Sequence, residues 1–139
     1  MVLSKNLRVG NFKRFSPSKE TPQSPAEYTV ARRKMVEEQL KARGITDPRV
    51  LEVMGKLPRH LFVDEALISQ AYQDTPLHIG LGQTISQPHT VALLAQALEL
   101  KGDETILEIG TGCGFQTSLL AQIKKKIYSI ERLSPLILK

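Results

Sequence analysis

Apolar side chains recur at helical spacing over 28–43, at Ala31, Met35, Val36 and Leu40, and Gly44 follows as a stop. That pattern predicts an amphipathic helix. Asp47 and Pro48 then read as the cap and first position of a second helix, with Val50, Leu51 and Met54 on one face and an end before Pro58. Over 59–83, Pro76, Gly80 and Gly82 interrupt every period, and the segment reads mostly as loop. Ser86 precedes Pro88 and a run containing Val91, Leu94, Ala95 and Leu98, so a third helix is expected to start beside a hydroxyl able to cap it and to end at Gly102. Residues 105–109 form a short apolar, β-branched run typical of a buried parallel strand. The glycine-rich turn Gly110-Thr111-Gly112-Cys113-Gly114 comes next, then a helix over 115–123 and a second strand over 126–130 that ends at Glu131. Strand, turn, helix and strand make a βαβ unit, for which a right-handed crossover is expected.

Length and composition narrow the class. A chain of 139 residues holds one domain with a real core. Its 41% hydrophobic and 24% charged residues are ordinary for a globular protein. No apolar stretch approaches the roughly 20 residues of a membrane span, since even 91–98 is broken by Gln96. Cys113 is the single cysteine, so an intrachain disulfide or a cysteine-cluster metal site is impossible; no metal is expected, and a reducing, cytoplasmic compartment fits best.

The net charge of +5 invites a nucleic-acid reading, but its distribution argues against one. Lys5, Arg8, Lys13, Arg14 and Lys19 lie in the first 19 residues with no acid, which leaves 14 basic and 14 acidic residues for the rest. With no Trp and 5% aromatic residues a base-stacking platform is also unsupported. The Ser/Pro-rich stretch SPSKETPQSP over 16–25 has no apolar periodicity. Residues 1–25 are therefore expected to be a disordered basic tail, read as an extension, an early start or a transit peptide, ahead of a folded part over 26–139.

The chemistry concentrates at LEIGTGCG. Glycines in a strand-to-helix turn lack Cβ and tolerate positive φ, so backbone N–H groups approach a ligand closely. The spacing is GxGxG rather than the GxGxxG of dinucleotide sites, and Glu108 lies in the strand just before it. An acid there repels a pyrophosphate but attracts an ammonium such as that of the methionine moiety of S-adenosylmethionine. Glu131, at the end of the next strand, is placed to accept hydrogen bonds from a ribose diol. A glycine turn alone is also compatible with nothing more than a tight βα connection.

LEIGTGCG and IYSIER, taken with VLEVMGKLPRHLF over 50–62, AYQDTPL over 71–77 and GQTISQPHTV over 82–91, resemble the protein-L-isoaspartate O-methyltransferases, a class I S-adenosylmethionine-dependent family. The resemblance runs from about Val36 to Arg132. It implies the front part of a Rossmann-like α/β fold, N-terminal helices followed by the βαβ unit, cut after the second parallel strand. It implies methyl transfer from S-adenosylmethionine to the free carboxylate of L-isoaspartyl, and D-aspartyl, residues in damaged proteins and peptides. Ser86 is then the hydroxyl at the active centre, with Thr84, Ile85 and His89 in the same wall, and these four would also contact the cofactor. Glu108, Gly110, Thr111, Gly112 and Gly114 would line the methionine end of the cofactor, and Glu131 would hold its ribose.

Each residue has a plainer role to weigh. Ser86 and His89 could serve only to cap the third helix; His60 and His78 read as structural; Cys113 reads as a small filler. Lys124, Lys125 and Lys126 read as a solvated charge run. Phe115 stands where the family commonly has Tyr, which keeps the ring and removes a hydroxyl. The family continues through further strands and helices beyond the point matching Lys139. That departure leaves three readings open: the repair methyltransferase, a non-catalytic remnant with part of the cofactor loop, or another class I methyltransferase.

Overall fold

The computed structural model describes residues 25–137 except Gly102 and Lys125. The expected tail, Pro25 apart, and the expected helix end at Gly102 lie outside the described residues. Helix α1 (Pro25–Lys34) does not continue as the regular helix expected to residue 43; it widens into a π-helical turn at Met35–Leu40 and tightens into a 3-10 turn at Lys41–Arg43. The wider turn lets Met35, Val36 and Leu40 all face inward, where each is buried. Gly44 ends the helix as expected, in the left-handed conformation at φ 90°. Its N–H donates to the Lys41 carbonyl at 3.1 Å while the Ile45 N–H reaches Leu40 at 3.1 Å. Ile45 and Leu40 are both buried, so the end has the paired backbone bonds and apolar contact of a Schellman motif.

Helix α2 (Pro48–Lys56) starts as expected, with the Asp47 carboxylate accepting the N–H groups of Arg49 and Val50. The turn before it is stitched to α3 (Pro88–Ala97) by Gln96, whose Oε1 accepts the Thr46 and Asp47 N–H groups at 2.7 and 2.8 Å and whose Nε2 donates to Gly44 O at 3.2 Å. Val50, Val53 and Met54 turn inward, and α2 packs against both α3 and α4 (Phe115–Ile123).

The stretch expected to be loop is more ordered. It contains 3-10 turns at Arg59–Phe62 and Glu65–Gln70 and an antiparallel hairpin of β1 (Leu77–Gly80) and β2 (Gln83–Ile85). Gly80, Leu81 and Gly82 all take positive φ in the hairpin turn, so the glycines that hid the strands are the ones that let them fold back. Helix α3 is also corrected in detail: Val91, Ala92 and Ala95 are buried while Leu94 and Leu98 are about half exposed. Its N-cap is Gln87, with no side-chain cap from that residue. Ser86 lies one position too early to cap; Asp74, from the far side of the hairpin, accepts the His89 N–H at 3.0 Å.

The βαβ unit forms as β3 (Ile106–Ile109), α4 and β4 (Ile127–Ile130), the strands parallel with Glu108 opposite Ser129. Among the described residues only one face of this sheet is covered. Ile106 and Glu108 are buried, whereas Leu107 and Ile109 are 59% and 83% exposed, against the expectation of a strand buried throughout. Lys124 also departs from the expected solvated run: its side chain is buried and pairs with Glu104 at 2.5 Å. Lys126 stays exposed, over the Tyr128 ring. A short helix α5 (Ser134–Ile137) follows, and no described helix is long and apolar enough to cross a membrane.

The Gln96 stitch carries a direct test. Gln96→Leu removes an acceptor from two N–H groups and a donor from one carbonyl. Water can reach these partly exposed groups, so the expected cost is about 1–2 kcal/mol. A urea titration should show a lower midpoint with an unchanged slope.

Candidate functional site

The glycine turn is held by β4. Gly110 and Thr111 both donate their N–H to Ile130 O, at 2.7 and 3.3 Å, and Gly114 closes the turn onto Thr111 O at 2.8 Å. Gly110 and Gly112 take φ of 92° and 57°. A Cβ built on Gly110 would meet nothing within 4 Å, so open space lies against the backbone there. A Cβ built on Gly112 would lie 3.5 Å from the Ile79 side chain, so β1 of the hairpin comes against the turn there.

Glu108 is buried beneath this turn. Its Oε2 accepts the hydroxyls of Thr117, from α4, and Ser129, from β4, the latter at 2.5 Å. Ser129 Oγ also lies 2.5 Å from Thr111 Oγ1. A carboxylate only accepts and a serine has one hydroxyl hydrogen, so Ser129 donates to Glu108 and Thr111 donates to Ser129. The result is a one-way chain of donors from the turn to the acid. Glu108 Oε1 is buried without a hydrogen-bond partner; an acceptor left open beside a glycine turn fits a cationic ligand group.

Glu131 sits over the other side of the turn. Its Oε2 accepts Gly112 N–H at 2.8 Å and its Oε1 accepts Leu133 N–H at 2.8 Å. The Leu133 bond first, then the Gly112 bond, holds this carboxyl below the ordinary carboxylate range. Each oxygen keeps a second lone pair free to accept a ligand hydroxyl. Glu108, Gly110, Thr111, Gly112, Gly114 and Glu131 are thus brought together, with Ser129 and Thr117 as members that the sequence reading did not single out.

The second group of expected site residues is arranged around β2 and the start of α3. Thr84 and Ser86 are exposed, and Ile85 is buried opposite Leu77. His89 donates its backbone N–H to Asp74, and its Nε2 lies 3.3 Å from Arg43 O. Asp74 is further paired with Arg43. Among the described residues no hydrogen bond joins 84–89 to the glycine turn; the link is a buried residue that sequence reasoning passed over. Arg59 is fully buried, donates Nε to Ala71 O at 2.8 Å and Nη2 to Ser86 O at 2.7 Å, and lays its guanidinium 4.8 Å from the centre of the Phe115 ring. Phe115 is the first residue of α4, directly after the turn, and its ring meets Phe62 edge-on at 5.3 Å. Burial lowers the Arg59 pKa to about 10, so the group stays charged at neutral pH.

Of the remaining candidates, His60 is buried, stacked on Tyr28 at 3.9 Å with its Nδ1 2.7 Å from Tyr72 Oη, and burial followed by Arg32 pushes its pKa down. His78 is exposed on β1. Cys113 lines an open groove of about 340 Å³ with Leu61, Phe62, Val63, Asp64, Ile79 and Leu136. Burial pushes its thiol up, which keeps it protonated near neutrality.

The bonds to Glu131 predict a pH dependence. A carboxyl lowered in the folded state stabilises the turn fully above its ordinary value of 4.5, and that contribution is lost as pH falls through the folded value. Protection of the Gly112 amide, followed by NMR hydrogen exchange, should fall below that point relative to the amides of β3 and β4. Glu131→Gln should remove the pH-dependent part.

Residues 31–139 match the family model described as protein-L-isoaspartate(D-aspartate) O-methyltransferase. The chain is 57% identical over 112 residues to protein-L-isoaspartate O-methyltransferase 1 of Pelobacter propionicus, covering 81% of this chain and 52% of that protein. It is 63% identical over 105 residues to the protein of the same name from Syntrophobacter fumaroxidans, covering 76% and 49%. Among solved structures, a Plasmodium falciparum protein described as a putative protein-L-isoaspartate O-methyltransferase, in complex with S-adenosyl-L-homocysteine, superposes with a TM-score of 0.63 at 32% identity over 77% of this chain and 51% of that one. The chain spans about half the length of the curated relatives it matches.

Proposed function

The chain belongs to the protein-L-isoaspartate O-methyltransferase family, and from that premise we propose that it carries the cofactor-binding half of a repair methyltransferase. The reaction would move a methyl group from S-adenosylmethionine to the free carboxylate of L-isoaspartyl, and D-aspartyl, residues of damaged proteins. The observation that carries this reading is the buried Glu108 with one oxygen unpartnered beneath an open, positive-φ glycine turn. The relative solved with S-adenosyl-L-homocysteine supports the same cofactor class.

In this reading Glu108 offers Oε1 to the ammonium of the cofactor, and Gly110, Thr111, Gly112 and Gly114 give it backbone room. Glu131 accepts the ribose hydroxyls on lone pairs not used by Gly112 and Leu133. When bound, S-adenosylmethionine supplies an electrophilic methyl group. The substrate carboxylate, with an ordinary pKa of about 4, is ionised at neutral pH and needs no strong general base. The protein's work is therefore to hold it in line and exclude water. Ser86 donates its hydroxyl to that carboxylate, and Thr84, Ile85 and His89 flank it.

Incubation with labelled S-adenosylmethionine and an isoaspartyl peptide, beside its normal aspartyl twin, tests the substrate. Selective labelling of the isoaspartyl peptide is expected; equal labelling of both points to another class I methyltransferase, and none at all to a cofactor-binding remnant. Ser86→Ala should remove most transfer and leave cofactor affinity nearly intact. Glu131→Ala should weaken S-adenosylhomocysteine about tenfold to hundredfold, the loss of hydrogen bonds to a charged group, as read by calorimetric titration.

A further inference from the structure

Arg59 is the charge that the reading above leaves unused. Its guanidinium has three faces of contact, the carbonyls of Ala71 and Ser86 and the Phe115 ring, and none of them is a carboxylate. Among the described residues no acid lies at ion-pair distance from it, and its Nη1 is buried without a partner. The carboxylate that acts on it through space, Asp74, is already engaged by Arg43 and by the His89 N–H. A full positive charge in a low-dielectric interior, matched only by carbonyl dipoles and a ring face, keeps a field that reaches outward much less screened than a surface cation's.

The contacts of Arg59 reach solvent at two places: Ser86, whose carbonyl it holds at 2.7 Å, is exposed, and Cys113, two residues before the Phe115 ring that the guanidinium faces at 4.8 Å, lines an open groove. We propose that Arg59 is a positioning residue that draws a carboxylate to the face between Ser86 and Cys113. The inference rests on the isoaspartyl reading for the identity of that carboxylate, and on the Arg59 contacts alone for the existence of the field. The charged groups facing Cys113 are Arg59, which favours its thiolate, and Glu108, which opposes it more weakly; Asp64 lies at the exposed rim of the groove. Arg59 never touches the substrate. It acts by fixing the Ser86 backbone and by charge.

Cys113, as the single cysteine, is a built-in probe of the field. The intact chain is reacted with iodoacetate, an anion, and with iodoacetamide, its neutral counterpart, across a range of pH so that rates refer to the thiolate. Relative to the same ratio for mercaptoethanol, the iodoacetate-to-iodoacetamide ratio should be raised about tenfold, the lower end of what charge focusing in a cleft gives, and should fall with added salt. Arg59→Lys should keep much of the preference. Arg59→Met should lose it and raise the thiol pKa. A ratio equal to that of mercaptoethanol in the unmutated chain overturns the proposal without recourse to any variant. An isoaspartyl peptide and its uncharged isoasparagine twin are then compared as protectants of Cys113. Selective protection by the isoaspartyl peptide supports both readings. A raised reagent ratio with equal protection by the two peptides keeps the Arg59 field and removes isoaspartate as its target.

Discussion

A guanidinium without access to water must find its acceptors in the protein, and Arg59 finds them in parts of the chain that are far apart in sequence. Its charge cannot be shed at neutral pH, because even burial leaves the pKa near 10. The carbonyls of Ala71 and Ser86 and the Phe115 ring are therefore held at fixed places around one planar group. Those three residues mark the end of a 3-10 turn, the end of the hairpin and the start of α4. Planarity matters here: a lysine ammonium has donors enough for both carbonyls but lacks the rigid fork that fixes their places and the flat face that stacks on the ring. The relation between the Ser86 segment and the glycine turn rests on this geometry more than on any backbone pairing.

The polar chemistry under the turn follows from strand parity. Side chains alternate along β3, so the face that buries Ile106 also buries Glu108. Parallel register then sets Ser129 beside Glu108, while α4 crossing the same face delivers Thr117. A carboxylate that would otherwise be costly to bury is met by two hydroxyl donors and retains one open acceptor. In the proposed function the same side chain would serve both packing and cofactor binding.

What could be read from the sequence was local. Asp47 and Pro48 announce a helix start, Gly44 a helix end, and the run through the glycine turn to β4 a βαβ unit, because each signal lies within a few residues of the structure it controls. The π-turn at Met35–Leu40 was hidden since its spacing of apolar residues also suits an ordinary helix. The β1–β2 hairpin was hidden by its brevity and by the glycines of its own turn. Asp74 capping α3, Lys124 pairing with Glu104 and Arg59 bridging two carbonyls all join residues distant in sequence, and no periodicity encodes such contacts. Ser129 did leave a trace: a hydroxyl at the inward position of an apolar strand, in register with an acid. The candidate site residues could be named only because whole motifs resembled a family, not because single residues advertised their roles.

The covered face of the β3–β4 sheet carries Ile106 and the polar chemistry around Glu108, while the side chains of its other face are apolar and open to solvent, Leu107 and Ile109 at 59% and 83% exposure with Tyr128 and Ile130 beside them. Water against such a surface is costly chiefly through entropy near room temperature. Closure of polypeptide over this face must therefore carry a negative heat-capacity change, and its driving force must weaken on cooling and strengthen with excluded salts such as sulfate. The thermodynamic character of any assembly on this side of the molecule is thereby fixed by four side chains, independently of the chemistry housed on the other.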